Sequence, residues 1–181
     1  MGVLEFAGPA GWDSWLADHH DTQTETWVRI GKRHADIALP TIDESGELAL
    51  CFGWIDGQRK AHDEVSFLQR YSRRRPKSSW SKVNVERVKS LIAAGRMRQP
   101  GFAEIEDARA DGRWEAAYEP QRTASVPVEL AAALVDNPVA QAAFGRLGRS
   151  EQYLFMLPML KTYTPKTRAA ALLRLISRLD R

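Results

Sequence analysis

Cysteine is nearly absent from this chain of 181 residues, which contains only Cys51. A lone cysteine excludes an intramolecular disulfide, and its position between Leu50 and Phe52 favours a small buried hydrophobic residue over a nucleophile. Long apolar runs are also missing, because no stretch approaches the roughly 18 residues that a membrane-spanning helix needs. Residues 1–10 lack the basic cluster and apolar core of a secretory signal, so we expect a cytoplasmic protein without a membrane span.

The motifs of common catalytic and cofactor sites are absent as well. The sequence contains no GxGxxG, Walker P-loop, HExxH, CxxC or GxSxG pattern. The adjacent His19 and His20 would project about 100° apart on a helix and cannot chelate one ion from the same face. His34 and His62 have no ligand-like spacing with them. We therefore expect neither a metal nor a cofactor.

Positive charge is concentrated in one stretch of the chain. Residues 54–98 contain 12 Lys/Arg against 4 Asp/Glu, whereas the whole chain has a formal net charge of only +3. The rest of the chain is therefore acidic overall. Because the basic character is local, it predicts an anionic partner at one place on the surface, either a small molecule or an acidic protein surface.

The first half of the sequence predicts three strands between helices. A short amphipathic helix is expected over residues 11–20, followed by a strand over residues 27–33. The capping-box pattern at residues 41–44 opens a helix that reaches Phe52. Residues 54–60 and 65–71 then form two strands. The short connections between them favour antiparallel pairing.

Two positions compete for the turn between the last two strands. Asp56-Gly57 is a strong type I′ hairpin dipeptide, but a turn there leaves only a stub of strand before it. The polar corner at residues 61–64 gives two strands of useful length. We therefore place the turn at residues 61–64.

The residues that follow the hairpin combine arginines with a helix start. Pro76 fixes its own φ and pushes Arg75 to an extended conformation, so the three arginines at positions 73–75 lie on a stiff, non-helical segment. A helix begins soon after, and Ser79, Ser81 and Asn84 are its possible N-caps. Helix N–H groups beside arginines can bind an oxyanion. The candidate ligand-binding residues are Trp54, Arg59, Arg70, Arg74, Arg75, Lys77, Trp80 and Ser81, with the tryptophans as walls.

A simpler interpretation of the same arginines stays open. Arginines beside a sheet edge often lie across aromatic rings or pair with carboxylates from elsewhere in the chain. The acidic remainder of this chain supplies many such carboxylates.

After residue 97 the pattern is entirely helical. Helices are expected over residues 102–110, 128–135, 138–147, 150–161 and 165–179, with a polar linker over residues 119–126. We predict an α+β fold, in which a small antiparallel sheet of about three strands is flanked by helices and followed by a C-terminal helical subdomain. The predicted domains are residues 1–118 and 119–181.

Several ordered segments resemble one bacterial family. They read ALCFGWIDGQRK, LQRYSRRRPKSSWSKVN, ERVKSLIAAGRM, DGRWEAAY and KTYTPKTRAAALLRLI. These segments resemble the YdeI/OmpD-associated family, also called bacteriocin-protection proteins. The resemblance implies a small bacterial protein linked to antimicrobial-peptide or stress resistance, without an established biochemical activity.

Three functions are compatible with these features. The first is a non-catalytic protein that binds an anion on the basic surface. The second is single-stranded nucleic-acid binding, in which basic residues pair with phosphates and aromatic rings stack on bases; the small net charge and the lack of a known module speak against it. The third is an enzyme that uses Asp56 beside an arginine-lined pocket. One carboxylate without a nucleophile or second acid makes this enzyme the less favoured hypothesis.

Overall fold

The computed structural model describes residues 2–180, in which strands and helices form the first half and helices alone the second. The strands β1–β4 are Val3–Leu4, Glu25–Gly31, Trp54–Ala61 and Ser66–Arg73. The helices α1–α4 are Pro9–His19, Ile42–Cys51, Lys82–Ala93 and Gln99–Ala110. The helices α5–α8 are Val128–Val135, Pro138–Gly145, Arg149–Leu160 and Pro165–Leu179. The predicted α+β class is confirmed.

The described strands form one mixed sheet in the order β1-β2-β4-β3. The three longer strands pair in antiparallel fashion, as expected. The fourth strand, β1, was not predicted; it pairs in parallel with β2 through Val3 and Leu4. A strand of two residues is too short to show the alternation of apolar and polar side chains on which strand prediction depends.

The hairpin between β3 and β4 turns where the sequence predicted. β3 ends at Ala61 and β4 begins at Ser66. The competing Asp56-Gly57 dipeptide lies inside β3, where the pairing with β4 shifts register between Asp56 and Arg59. One extra residue on β3 is accommodated there, which is the geometry of a β-bulge. Gly57 therefore lies at the bulge rather than in the turn.

The carboxylate of Asp63 holds this turn together. Its Oδ1 accepts hydrogen bonds from Val65 N at 3.0 Å, and from Ser66 N and Oγ at 2.7 Å each. Its Oδ2 accepts from Arg29 Nη2 on the neighbouring strand at 2.6 Å. The hydroxyl of Ser66, the backbone donors and Arg29 together lower the pKa of Asp63 to about 2.

The low pKa of Asp63 predicts an acid-sensitive contribution to stability. A lowered native pKa stabilises the fold above the ordinary aspartate pKa near 4, and this contribution is lost as the pH falls towards 2. Asparagine at position 63 keeps an acceptor but does not titrate. We expect urea midpoints of the wild type and of Asp63→Asn to differ by a constant amount above about pH 5 and to converge between about pH 4 and 2. A difference that stays constant down to pH 2 contradicts this role.

One face of the sheet packs on α1 and α2 through an aromatic cluster. Trp12 lies 5.3 Å from the Tyr71 ring and 6.5 Å from the Trp54 ring, measured between centroids, and all three are buried. Its Nε1 donates to Ser45 O in α2 at 3.1 Å. The capping box at Thr41 is present, so the predicted start of α2 is confirmed.

The described chain divides into two compact units. The first contains residues 2–78 and 86–108, and the second contains residues 79–85 and 109–180. The second unit has its own apolar core, formed by Leu130, Leu134, Ala140, Phe144, Met156, Met159, Ala171, Leu175 and Leu179. The predicted domains 1–118 and 119–181 stay predictions, because compactness does not measure independent folding. Across residues 2–180, no helix is long and apolar enough to cross a membrane.

Candidate functional site

The arginine-rich residues 73–77, called the basic loop below, continue directly from β4 into a tight turn. Ser78 N donates to Arg75 O at 3.0 Å, and Lys77 has a φ of 65°. This is the pattern of a type II turn, for which proline is favoured at the second position and glycine at the third. Pro76 fits its place, whereas Lys77 is strained by about 1 kcal/mol in the left-handed region. The turn thus fixes the positions of the cations on either side of Pro76.

The cations of the basic loop differ in their surroundings. Arg74 is only 3% exposed. Arg73 is exposed and donates through Nε and Nη2 to His20 O at 3.1 and 2.9 Å. Arg75 and Lys77 are exposed as well, and within residues 2–180 neither side chain makes a hydrogen bond or a salt bridge. These last two cations are therefore accessible to a ligand.

The other two predicted arginines have partners within the sheet. Arg59 donates from Nε to Gln69 Oε1 at 3.2 Å, and its guanidinium lies 4.3 Å from the centroid of the Phe67 ring. Arg70 forms a salt bridge with Glu25 on the neighbouring strand. This contact lowers the pKa of Glu25 and raises that of Arg70.

The structure separates the predicted arginines into two places. Arg59 pairs in register with Gln69, four residues before Arg73. At about 3.3 Å per residue, the two positions are roughly 13 Å apart along β4. The sequence could not show this separation, because it depends on the register of β3 against β4. The guanidinium of Arg59 lies over Phe67, which is further still from Arg73 along β4, so Arg59 extends away from the basic loop.

Neither predicted tryptophan wall lies on the surface. Trp54 is 0% exposed and donates from Nε1 to His20 O at 3.1 Å. Trp80 is 2% exposed and packs edge-on against Trp114 at 5.0 Å. Both indoles belong to the interior of their respective units, so the predicted walls are not available to a surface ligand.

The site predicted from the sequence also includes the helix N-terminus at Ser81, and Ser81 is confirmed as an N-cap. Ser81 Oγ accepts from Asn84 N at 3.2 Å, the hydrogen bond of an N-cap. Ser81 and Trp80 belong to the second unit, whereas the other predicted site residues belong to the first. The proposed anion site is therefore built on the basic loop alone.

Carboxylates neutralise many of the cations of residues 54–98. Within the described chain, at least six of these Lys/Arg side chains form salt bridges, and five of the six carboxylates lie outside residues 54–98. The pairs are Arg70–Glu25, Lys82–Glu119, Arg87–Asp43, Lys89–Glu86, Arg96–Glu47 and Arg98–Asp13. The interpretation of the arginines as structural partners is therefore correct for much of this segment. The net positive charge of residues 54–98 is larger than the unpaired charge that a ligand can contact.

The enzyme hypothesis depends on the surroundings of Asp56. Asp56 is exposed on β3 opposite Tyr71, and within the described chain it forms no salt bridge with Arg59 or Arg70. Its negative charge adds to burial in raising the pKa of the Tyr71 hydroxyl. Residues 2–180 contain no group of three or more His, Cys, Asp or Glu side chains placed to hold a metal ion. A catalytic role for Asp56 stays an untested hypothesis.

Sequence reasoning missed a cavity in the second unit. It has a volume of about 480 Å³ and lies where α7 ends and α8 begins. Its lining residues are Ala116, Glu129, Met159, Thr162, Tyr163, Thr164, Pro165, Arg168, Ala169 and Leu172. The sequence nearby predicts that a helix begins at residue 165, which indicates the end of a helix but not a space beside it.

Comparison with known protein families gives two matches. Residues 4–104 match the family described as Domain of unknown function (DUF8412). Residues 123–181 match the family described as Bacteriocin-protection, YdeI or OmpD-Associated. This second match confirms the resemblance seen in the sequence for the C-terminal part, whereas the motifs at residues 51–97 fall within the first match.

The two other comparisons, with curated proteins and with solved structures, found no match. The similarity of this chain to known proteins therefore rests on the two family matches. Because the first of them covers more than half of the chain, the chain belongs to the family of the domain of unknown function DUF8412, and its C-terminal part matches the bacteriocin-protection, YdeI or OmpD-associated family.

Proposed function

We propose that this chain is a non-catalytic cytoplasmic protein that binds a small phosphate-bearing molecule through the basic loop. The observation that carries the proposal is the state of Arg75 and Lys77. Among the described cations of residues 54–98, these two side chains are exposed and make no hydrogen bond, salt bridge or aromatic contact. Their charge is therefore available to a ligand.

The turn brings Arg75 and Lys77 close enough together to bind the same phosphate group. They are the first and third residues of the turn, so their Cα atoms are within about 7 Å of each other. A guanidinium offers a planar fork to two oxygens, and an ammonium is a compact point charge. Both groups are common phosphate ligands. The constrained backbone at Pro76 reduces the ordering that binding requires.

Glu25 limits the affinity of this site. The hydrogen bond from Arg70 is the main cause of the lowered pKa of Glu25, and the charge of Arg75 adds to it, so this carboxylate also lies near Arg75. An incoming oxyanion must compete with that carboxylate and with dissolved salt, because the loop is exposed. We therefore expect weak, salt-sensitive binding.

The family match supports the biological part of this proposal only by its description, which is bacteriocin protection. A role in resistance to antimicrobial peptides or in a stress response is our proposal for this chain. Single-stranded nucleic acid is less favoured as the ligand. Trp54, Tyr71 and Trp80, the rings expected to stack on bases, are all buried.

Calorimetric titration with tripolyphosphate tests the proposal on the whole chain. We expect saturable binding at 50 mM NaCl that weakens clearly at 200 mM NaCl. Lys77→Gly and Arg75→Ala should each weaken it by about tenfold, which is the contribution of one charge-assisted hydrogen bond. Glycine suits the φ of 65° at position 77, so Lys77→Gly should fold at least as stably as the wild type.

Arg33→Ala is the matched control. Arg33 is an exposed arginine of the same unit, outside the basic loop, and its removal changes the net charge by the same amount. Equal weakening by Arg33→Ala and Lys77→Gly indicates general charge attraction and contradicts a defined site. The absence of saturable heat at 50 mM NaCl also contradicts it. Tight binding of an oligonucleotide but not of tripolyphosphate would assign the surface to nucleic acid instead.

A further inference from the structure

The cavity between α7 and α8 has the size and lining of a small-molecule site. Its volume of about 480 Å³ falls within the range of about 300–1,000 Å³ that is typical of ligand pockets. Its walls include the apolar side chains of Met159, Leu172 and Pro165. A ligand with an apolar body therefore fits these walls.

The charges of the cavity cancel each other. Arg168 donates from Nε to Glu129 Oε1 at 2.5 Å and from Nη2 to Glu129 Oε2 at 3.0 Å. This bidentate contact lowers the pKa of Glu129 to about 2, so the pair stays ionised at neutral pH. Each charge of the pair is already compensated by the other, so neither is left for an added carboxylate or ammonium to neutralise. The paired charges therefore favour an uncharged ligand.

Hydrogen-bond donors remain available to such a ligand. The Thr162 hydroxyl donates to Met159 O, and the Thr164 hydroxyl accepts from Thr167 N at the cap of α8. The Tyr163 hydroxyl, in contrast, makes no hydrogen bond within the described residues. Arg168 also keeps N–H groups beyond the two that bind Glu129. The free donors of Tyr163 and Arg168 match a carbonyl oxygen.

From these features we infer that the cavity between α7 and α8 binds an uncharged, mainly apolar small molecule that carries a carbonyl group. The apolar body packs on Met159 and Leu172. The carbonyl oxygen accepts from the Tyr163 hydroxyl or from Arg168. This site belongs to the second unit and uses none of the residues of the basic loop, so it is independent of the phosphate site proposed above.

The probe 6-propionyl-2-dimethylaminonaphthalene tests the inference, because it is an uncharged naphthalene with a ketone. Its emission should shift to the blue and saturate when it is titrated with the full chain. Its carboxylate analogue, 6-dimethylamino-2-naphthoic acid, should bind at least about tenfold more weakly at pH 7, because the neutral Arg168–Glu129 pair offers no net charge to offset the desolvation of a carboxylate. Tyr163→Phe should weaken ketone binding about three- to tenfold through the loss of one hydrogen bond.

Two variants that each replace an alanine with phenylalanine show where the probe binds. Ala169 lines the cavity and is exposed, so Ala169→Phe should occupy the space without disturbing the core and should weaken binding at least about tenfold. Ala142 is an exposed alanine on α6 outside the cavity lining, and Ala142→Phe should leave binding unchanged. Equal binding by the two variants, or no saturable shift with the wild type, overturns the site. Equal binding of the ketone and the carboxylate overturns the ligand class.

Discussion

Replacing Gly101 with alanine should lower the free energy of unfolding by about 2–3 kcal/mol, although alanine is the better helix former. Gly101 is buried in α4, beside the end of α2. A Cβ atom there would lie 2.5 Å from Cys51 O, 2.8 Å from Leu50 O and 2.5 Å from Met97 Sδ. The methionine can rotate away, but main-chain carbonyls cannot yield without moving the end of α2. The close approach of the two helices therefore requires glycine.

Gly145→Ala is the matched control for this prediction. Gly145 ends α6, and a Cβ atom there would meet nothing within 4 Å. Alanine at that position should raise stability by about 0.5–1 kcal/mol, because it restricts the unfolded chain and favours the helix. Urea unfolding followed by far-UV circular dichroism measures both variants. A stabilising or neutral Gly101→Ala would show that α4 does not approach α2 as closely as the structure places it.

The parts of the fold that were predictable are those with short-range causes. Thr41, Asn137 and Thr164 each accept a hydrogen bond from a backbone N–H three residues later. Such a cap depends on the identity of a few neighbouring residues, so the sequence contains all of the information. The hairpin turn at residues 61–64 was predictable from the lengths of the two strands, because the stronger local turn signal, Asp56-Gly57, lies inside β3. The bulge at Gly57 was not, because its position depends on the pairing with β4.

The candidate site was harder to predict because it depends on long-range contacts. The partner of Arg70 is Glu25, which lies 45 residues away in the sequence. No local pattern shows that this arginine is occupied while Arg75 and Lys77 are not. In the same way, Trp54 has basic neighbours in the sequence but packs against Trp12 and Trp15 from α1. Local charge predicted where the cations cluster, and tertiary pairing decides which of them a ligand can reach.

Leu175→Ala should destabilise the second unit by about 3 kcal/mol, within the usual range for a buried leucine. Leu175 is 2% exposed, and it lies on α8 one turn from the buried residues Ala171 and Leu179. This spacing of four residues places all three on the face that packs into the core of the second unit. Truncation of Leu175 therefore removes apolar contacts and leaves a cavity in that core.

Leu173→Ala isolates the effect of burial from the loss of a leucine. Leu173 lies on the same helix only two residues away, but it is 72% exposed. Since surface substitutions usually change stability by less than about 0.5 kcal/mol, this variant should unfold almost as the wild type does. Both variants place alanine in the middle of α8, so differences in helix propensity are the same for each. Urea unfolding of the whole chain, followed at 222 nm, compares them directly. If the two variants lose similar stability, α8 does not pack through the face that contains Leu175, and the cavity beside α8 loses its structural basis as well.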